Sequence, residues 1–233
     1  MRVIVSQLTR MKAPRICIAG IQPTTGCHVR PTTGGSEQLT RALLAEEGGP
    51  LALGTLIEPG EVKPSPDPPE TEDHLFRPRR IEVLGRLSAN KYREVLASNA
   101  RPSLRAIFGP ALVRQGGTYA VEQGQGTASL GVLRSRRRAG LKINRYGRLR
   151  LRLPTAQGVA SLPVTDLRLV EPDHETIRTD AVDDLNRRMN RGVEGLLLLG
   201  LSRAYRKDGD EHERHWLQVN GICTFDRPLG ELP

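Results

Sequence analysis

The sequence is poor in cysteine and in aromatic residues. Its three cysteines, Cys17, Cys27 and Cys223, cannot all pair with one another, and their spacing fits neither a disulfide scaffold nor paired CxxC zinc ribbons. We therefore expect no bound metal and a reducing, cytoplasmic compartment. The aromatic residues are Trp216, four tyrosines and three phenylalanines, and this scarcity argues against tight single-strand binding that depends on aromatic stacking.

Long apolar runs and established catalytic motifs are also missing. The longest apolar run, "GLLLLGL" from Gly195 to Leu201, is far too short to span a bilayer, and the start "MRVIVSQLTRMK" lacks the apolar region of a signal peptide. The sequence contains no GxSxG, HExxH or GxxxxGK[ST], and the glycine-rich "GQGTASLG" does not match a nucleotide-binding loop. We expect a protein without catalytic activity, without a cofactor and without membrane contact.

Short β-branched runs dominate what is present. With 24 glycines and 17 prolines, the chain favours short strands and many turns over long helices. Helices are predicted from Ser36 to Glu46, after Ser88, and after Asp180, because each of these three residues is suited to cap a helix. A proline-rich segment between Pro59 and Pro78 separates early strands and reads as an ordered surface loop, a linker or a polyproline ligand.

The element order predicts two similar halves. Each half has several short strands and a helix inserted before its last strands, and no long βαβ alternation occurs. The predicted fold class is therefore mainly β, with two tandem OB-like (Greek-key) β-barrels and a few short helices. We place the N-terminal domain, with the proline-rich loop, at residues 1–115 and the C-terminal domain, with a basic hairpin, at residues 116–233.

Basic residues are concentrated in one segment of the chain. Overall there are 35 basic and 26 acidic residues, a net charge of +9. Nine basic residues lie between Arg134 and Arg152, a window without aspartate or glutamate, so the remainder of the chain is formally neutral. Arginine abundance can reflect a GC-rich genome, and the clustering is therefore the informative observation. A local patch of this kind is typical of polyphosphate binding.

Within this segment, "RLRLRL" from Arg148 to Leu153 alternates arginine and leucine. Because successive side chains of a strand point to opposite faces, the leucines are predicted to be buried and the arginines to be exposed. "NRYG" before this run is predicted to be the turn of the hairpin. Guanidinium groups match phosphate oxygens, so we predict a phosphate-contacting surface; the alternative is a solvated basic strand. The predicted binding residues are Arg134, Arg136, Arg137, Arg138, Lys142, Arg145, Tyr146, Arg148, Arg150, Arg152 and, from the first half, Arg30.

Several short motifs occur in the order found in one known family. "RICIAG", "HVRP", a proline-rich segment ending in "TEDHL", "GRLS", "INRYGRLRLRLP…VTD" and "HWLQVNGI" resemble the dual OB-containing domain family of prokaryotes. The resemblance implies two tandem OB-like barrels and, through the fold, nucleic-acid binding. It implies no catalytic residues. His28 stands where the family pattern often has tryptophan, so base stacking at this position is expected to be weak or absent.

The sequence thus predicts a non-catalytic nucleic-acid-binding module. It would contact the backbone of RNA or DNA without sequence preference and serve a partner enzyme in prokaryotic defence or nucleic-acid processing. Two alternatives remain open at this stage. One is a protein-interaction adaptor that docks an acidic protein partner, and the other is an enzyme with an unrecognised site between the barrels.

Overall fold

The computed structural model describes residues 1–35, 37–134 and 139–229. Its strands are β1 Val3–Arg10, β2 Ile16–Ile21, β3 His28–Thr32, β4 Thr55–Glu58, β5 Lys63–Pro64, β6 Asp73–Leu75, β7 Glu82–Arg86, β8 Ala100–Arg101, β9 Val113–Gln115, β10 Thr118–Glu122, β11 Leu130–Arg134, β12 Gly140–Ile143, β13 Leu149–Thr155, β14 Gly158–Pro163, β15 Gly195–Leu201 and β16 Arg214–Thr224. Its α-helices are α1 Ala89–Asn99, α2 Leu104–Phe108 and α3 Thr179–Asn190, and 3₁₀ turns cover Arg41–Leu43, Ala45–Glu47, Pro78–Arg80 and Leu167–Leu169. The predicted mainly β fold with few, short helices is confirmed.

The strands form two large curled sheets and one small sheet. The first sheet has the order β5-β6-β3-β2-β1-β4-β7 and contains the N-terminal strands. The second has the order β8-β11-β15-β16-β10-β9, and the third is the meander β12-β13-β14. Most neighbours are antiparallel, whereas β3 with β6 and β8 with β11 are parallel pairs. The two large sheets are the half-barrels of the two OB-like units.

The second sheet is buried on both of its faces. Leu196 and Leu198 of β15 pack into a core with β1, β2 and helix α1. Leu197, Leu199 and Leu201 of the same strand pack into a second core with the third sheet and helix α3. This explains the continuous apolar run "GLLLLGL", since a strand covered on both sides has no solvent-facing positions to be polar.

Polar side chains join the first sheet to the second. The Asn220 amide nitrogen donates to the Gln7 side-chain oxygen at 2.7 Å, and both residues are buried. The buried Asp166 carboxylate accepts from the Arg168 guanidinium at 2.6 Å and from the backbone N–H of Ile222 at 3.2 Å. Buried polar groups need such partners, so the Gln7–Asn220 bond holds β1 against β16, and the Asp166 bonds hold the turn Leu167–Leu169 against β16.

The predicted helices have mixed outcomes. Helix α1 begins as predicted, with the Ser88 hydroxyl accepting from the Lys91 N–H at 3.3 Å. The helix predicted from Ser36 to Glu46 is wrong, because this segment forms two 3₁₀ turns. Its backbone is used by the first sheet, where the Leu39 carbonyl accepts from Ile16. Ser36 itself lies outside the described residues. The last helix has Arg178 at its N-cap, and Asp180 lies in its first turn.

The predicted domain division falls inside the second sheet. Gln115 is the last residue of β9, and Gly116 opens the turn to β10, which pairs with β9 in an antiparallel hairpin. The first sheet ends at Arg86, and β8, the first strand of the second sheet, begins at Ala100. The division of the chain into folding units stays a prediction. In the described ranges, no helix has the length and apolar character that crossing a membrane requires.

Leu151 offers a direct test of the core of the third sheet. Its side chain is fully buried between β12 and β14, at 0 % exposure. Leu151→Ala should lower the free energy of unfolding by about 2–5 kcal/mol, because it leaves a cavity in a packed core. Arg152→Ala, one residue further and exposed, is the matched control and should change it by less than about 0.5 kcal/mol. Urea denaturation measures both, and equal effects would contradict the assignment of faces.

Candidate nucleic-acid interface

The third sheet positions the basic residues on one surface. Strand β13 is its central strand, with β12 and β14 antiparallel on either side. Lys142 lies directly opposite Arg150, so these two cations are cross-strand neighbours on the same face. Leu149, Leu151 and Leu153 point to the opposite face and are buried. The predicted assignment of the two faces of "RLRLRL" is confirmed.

The turn at the tip of the hairpin presents Arg145 and Tyr146. The Asn144 side-chain oxygen accepts from the N–H groups of Tyr146 and Arg148, at 3.0 and 2.9 Å, which holds the turn. Gly147 has φ of +72°, a conformation that glycine adopts without strain. Tyr146 is 68 % exposed, and the Arg145 guanidinium carbon lies 4.8 Å from its ring centroid. The predicted turn is confirmed, and Arg145 covers one face of the tyrosine.

Arg148, Arg150 and Arg152 are not equivalent. Arg148 and Arg152 are exposed, whereas Arg150 is half-buried. The Arg150 Nε donates to the Ser161 hydroxyl at 3.2 Å, and its terminal nitrogen donates to the Ser161 carbonyl. Burial, and then the charge of Arg148, lower the pKa of Arg150. An anion bound here would therefore stabilise the charged form of Arg150.

The cations of this surface have no carboxylate partners among the described residues. Ion pairs within 4.0 Å hold other arginines of the protein, such as Arg168 with Asp166 and Arg188 with Asp226. Across residues 1–35, 37–134 and 139–229, no such pair involves Arg134, Lys142, Arg145, Arg148, Arg150 or Arg152. Lys142, Arg145, Tyr146, Arg148, Arg150 and Arg152 lie on β12, on β13 and in the turn between them, and we call these six residues the hairpin surface.

Five of the predicted binding residues are not part of the hairpin surface. Arg134 is the last residue of β11 in the second sheet. Arg136, Arg137 and Arg138 lie outside the described residues. Arg30 lies on β3 of the first sheet and is only 5 % exposed. Its guanidinium bonds to Asp73 at 2.6 Å and lies 3.5 Å from Glu70, so its charge is already neutralised. We leave Arg30 out of the surface for this reason.

Arg30 belongs to a buried ion cluster that connects both large sheets. Arg203, which follows β15, pairs with the carboxylates of both Glu70 and Asp73. His215 of β16 lies against Glu70, with its Nδ1 3.0 Å from the Ser202 carbonyl. The motifs "HVRP", "TEDHL" and "HWLQVNGI" thus meet in space. Their charged residues neutralise one another, which is a structural role.

Metal binding finds no support in the described part of the chain. There, no group of three or more histidine, cysteine, aspartate or glutamate side chains is placed to hold a metal ion. His215 is engaged by the ion cluster, and Cys223 is buried in the first core. Burial raises the pKa of Cys223 to about 11, which keeps this thiol protonated near neutral pH.

Three residues near the hairpin surface are not among the predicted binding residues. The Arg10 terminal nitrogen donates to the carbonyl of Val164, and the Val164 N–H donates to Leu149 at the start of β13. Tyr205 is 45 % exposed. Lys207 places its ammonium 3.0 Å from the centroid of the Trp216 ring. No local sequence signal identifies them, because their position depends on how distant segments pack.

With this geometry established, the molecule is a protein of two OB-like half-barrels with a cationic hairpin. The chain matches the family model of the dual OB-containing domain over residues 1–222. It therefore belongs to the dual OB-containing domain family, and the resemblance seen in the sequence is confirmed. Comparisons with curated proteins and with solved structures find no match.

His28, at the position where the family pattern often has tryptophan, makes stability depend on pH. Burial and the nearby charge of Arg101 lower its pKa to about 4 from 6.5, so the folded protein holds it neutral. The unfolded chain binds the proton first as pH falls. This contribution to stability is therefore present above pH 6.5 and is lost as pH falls towards 4, by at most about 3 kcal/mol.

Denaturation of the wild type and of His28→Gln, a side chain that does not titrate, measures this contribution. Between pH 7 and pH 4.5 the unfolding free energy of the wild type should fall more than that of the variant. Parallel pH profiles would show that His28 is as solvated in the folded protein as in the unfolded chain.

Proposed function

We propose that this protein is a non-catalytic nucleic-acid-binding module whose hairpin surface contacts the phosphate backbone of RNA or DNA. The observation that supports this most is the row of cations on β12 and β13 without carboxylate partners in the described chain. Most other buried or half-buried arginines are paired. The self-repulsion of the hairpin surface is relieved when a polyanion lies across it.

The spacing of the surface suits a backbone-led mode of binding. Alternate residues of a strand are separated by about 6.8 Å, so the arginines at 148, 150 and 152 extend over about 14 Å. One strand of a duplex advances about 3.4 Å per phosphate, so this length covers about four steps and therefore about five phosphates. Guanidinium groups donate paired hydrogen bonds to phosphate oxygens without reading the base. Binding without sequence preference follows.

The OB-like fold supports the same proposal, since OB folds present a curved sheet face to oligonucleotides. We further propose that the protein works beside a partner enzyme inside prokaryotic cells, in defence or nucleic-acid processing. A docking site for an acidic protein is the alternative that the same surface would serve. The buried acids Glu70 and Asp73 are neutralised by Arg30 and Arg203, which weakens the case for an acid–base catalyst at that cluster.

A salt titration of binding tests the proposal. The dissociation constants of labelled single-stranded, duplex and hairpin oligonucleotides are measured by fluorescence anisotropy between 50 and 200 mM salt. If about five phosphates are engaged on a single strand, log K should fall with log[salt] at a slope near −3.5. The double variant Arg148→Ser with Arg152→Ser should weaken binding at least about tenfold and flatten the slope, because each charged hydrogen bond contributes roughly 1.5–3 kcal/mol.

The matched control removes two exposed arginines from the 3₁₀ turn Pro78–Arg80 between β6 and β7, Arg79→Ser with Arg80→Ser. It has the same net charge and should bind within about twofold of the wild type. Equal losses in both variants would show that net charge alone governs binding. Retention of none of the nucleic acids at low salt would overturn the proposal and favour the adaptor. Melting temperatures of both variants should stay close to that of the wild type, since the changed side chains are exposed.

A further inference from the structure

A groove lies between the first and second sheets, next to the hairpin surface. Its volume is about 810 Å³, within the range of roughly 300–1,000 Å³ that ligand sites occupy. The turn between β1 and β2 supplies Arg10, Lys12 and Arg15, and the segment after β15 supplies Arg203 and Tyr205. Segments of "RICIAG", "HVRP" and "VNG" also line it, so three motifs of the family resemblance meet at this groove.

The free positive charge of this groove is carried by its β1–β2 turn, whereas Glu37 and Asp67 are acids of the lining without an ion pair in the described chain. The charged residues in its lining are Arg10, Lys12, Arg15, Arg30, Arg203, Glu37, Asp67, Glu70 and Asp73. Arg30 and Arg203 are paired with Glu70 and Asp73 in the buried ion cluster. Lys12 and Arg15 are exposed, and neither has a carboxylate within 4.0 Å in the described chain. The side next to the turn is therefore open to an anion.

Arg10 connects the groove to the hairpin surface. One terminal nitrogen donates to the His174 carbonyl at 2.7 Å and the other to the Val164 carbonyl at 3.4 Å. Its buried Nε has no hydrogen-bond partner in the described chain. Burial, and then the charge of Arg148, lower the pKa of Arg10. The positive charges of Arg10 and Arg148 thus oppose each other, and an anion bound near both would stabilise them.

Tyr205 presents a fixed aromatic ring at the same place. Its backbone pairs with Arg214 through N–H to carbonyl bonds of 3.1 and 3.2 Å, and its carbonyl accepts from the Trp216 indole at 3.3 Å. The Tyr205 ring lies 6.3 Å from the Trp216 ring, tilted by 47°. Tyr205 lines the groove together with Arg10, and the charges of Arg150 and Arg148 reach its hydroxyl. A half-exposed ring held in this way is a platform for a base.

We propose that a single strand crosses the hairpin surface and enters this groove, where Arg10, Lys12 and Arg15 contact its phosphates and Tyr205 stacks on one base. The proposal rests on the proposed function and adds the class of ligand, a single strand whose bases are unpaired. In a duplex the bases are stacked on one another, so Tyr205 has no base face to contact. A single stacking platform fits a chain that is poor in aromatic residues.

The test compares variants on three probes, namely oligothymidylate and oligouridylate of 15 nucleotides and a duplex of 15 base pairs, by fluorescence anisotropy at 50 mM salt. Tyr205→Ala should weaken binding of both single strands by about 5- to 150-fold, the equilibrium equivalent of one base stacked on an aromatic ring. Duplex binding should change by less than about twofold. Tyr205→Phe retains the ring and should bind single strands like the wild type. Lys12→Ser with Arg15→Ser should weaken single-strand binding and flatten its salt dependence.

The outcomes separate this inference from the proposed function. Tyr205→Ala could bind single strands like the wild type while Arg148→Ser with Arg152→Ser weakens the binding of every probe. This result would overturn the inferred binding in the groove and would support the proposed function of the hairpin surface. Equal losses on single strand and duplex would also overturn it. No binding of any probe by the wild type would overturn both proposals. Circular dichroism and melting temperatures confirm that each variant is folded, and a 5-iodouridine photocrosslink to Tyr205, located by mass spectrometry, provides a measurement that needs no variant.

Discussion

The burial of the second sheet on both faces is the constraint on which the rest of the structure depends. Strands β11, β15 and β16 supply apolar side chains to both cores, one shared with the first sheet and the other with the third. A sheet covered on both sides has no surface for charge. The outward face of the third sheet, opposite its buried leucines, is where the basic segment becomes exposed. The concentration of cations on one hairpin is thus compatible with a well-packed interior.

The protein uses arginine in two contrasting ways. In the ion cluster, Arg30 and Arg203 are matched by Glu70 and Asp73, and together they hold β3, β6 and the end of β15 in place. Removing one partner from such a cluster would leave a buried charge without compensation, which is strongly destabilising. On the hairpin surface the arginines have no such partners among the described residues. The same residue type is structural in the first setting and available for a ligand in the second.

The proposed binding mode depends on where the ion cluster and the hairpin surface lie relative to each other. The ion cluster lies in the lining of the groove, where it fixes the residues around Tyr205 and keeps the interior neutral. The uncompensated charges lie at the β1–β2 turn and along β13. The backbone of a polyanion would therefore be held by these cations, in an interaction that salt weakens. A base would stack on the Tyr205 ring without a rearrangement of the ring. The neutral His28 adds no charge to this arrangement.

The sequence by itself determined the elements whose cause is local. Strand, turn and helix-end geometry explain the alternation in "RLRLRL", the "NRYG" turn and the Ser88 cap. The basic segment without aspartate or glutamate is visible in the sequence directly. The predicted burial of Leu149, Leu151 and Leu153 is what the structure shows. The order of the motifs was sufficient to recognise the family.

Tertiary structure alone decided the features that depend on distant segments. The segment from Leu39 to Glu46 has helical spacing, yet its backbone bonds go to the first sheet. Arg30 looks like a surface cation until β6 brings Asp73 beside it. Tyr205 and Arg10, 195 positions apart in the chain, line one groove because the second sheet carries the end of β15 to the turn after β1. The local sequence pattern cannot reveal these features. Partners from distant segments determine whether a charge is paired and whether an aromatic ring is buried or exposed.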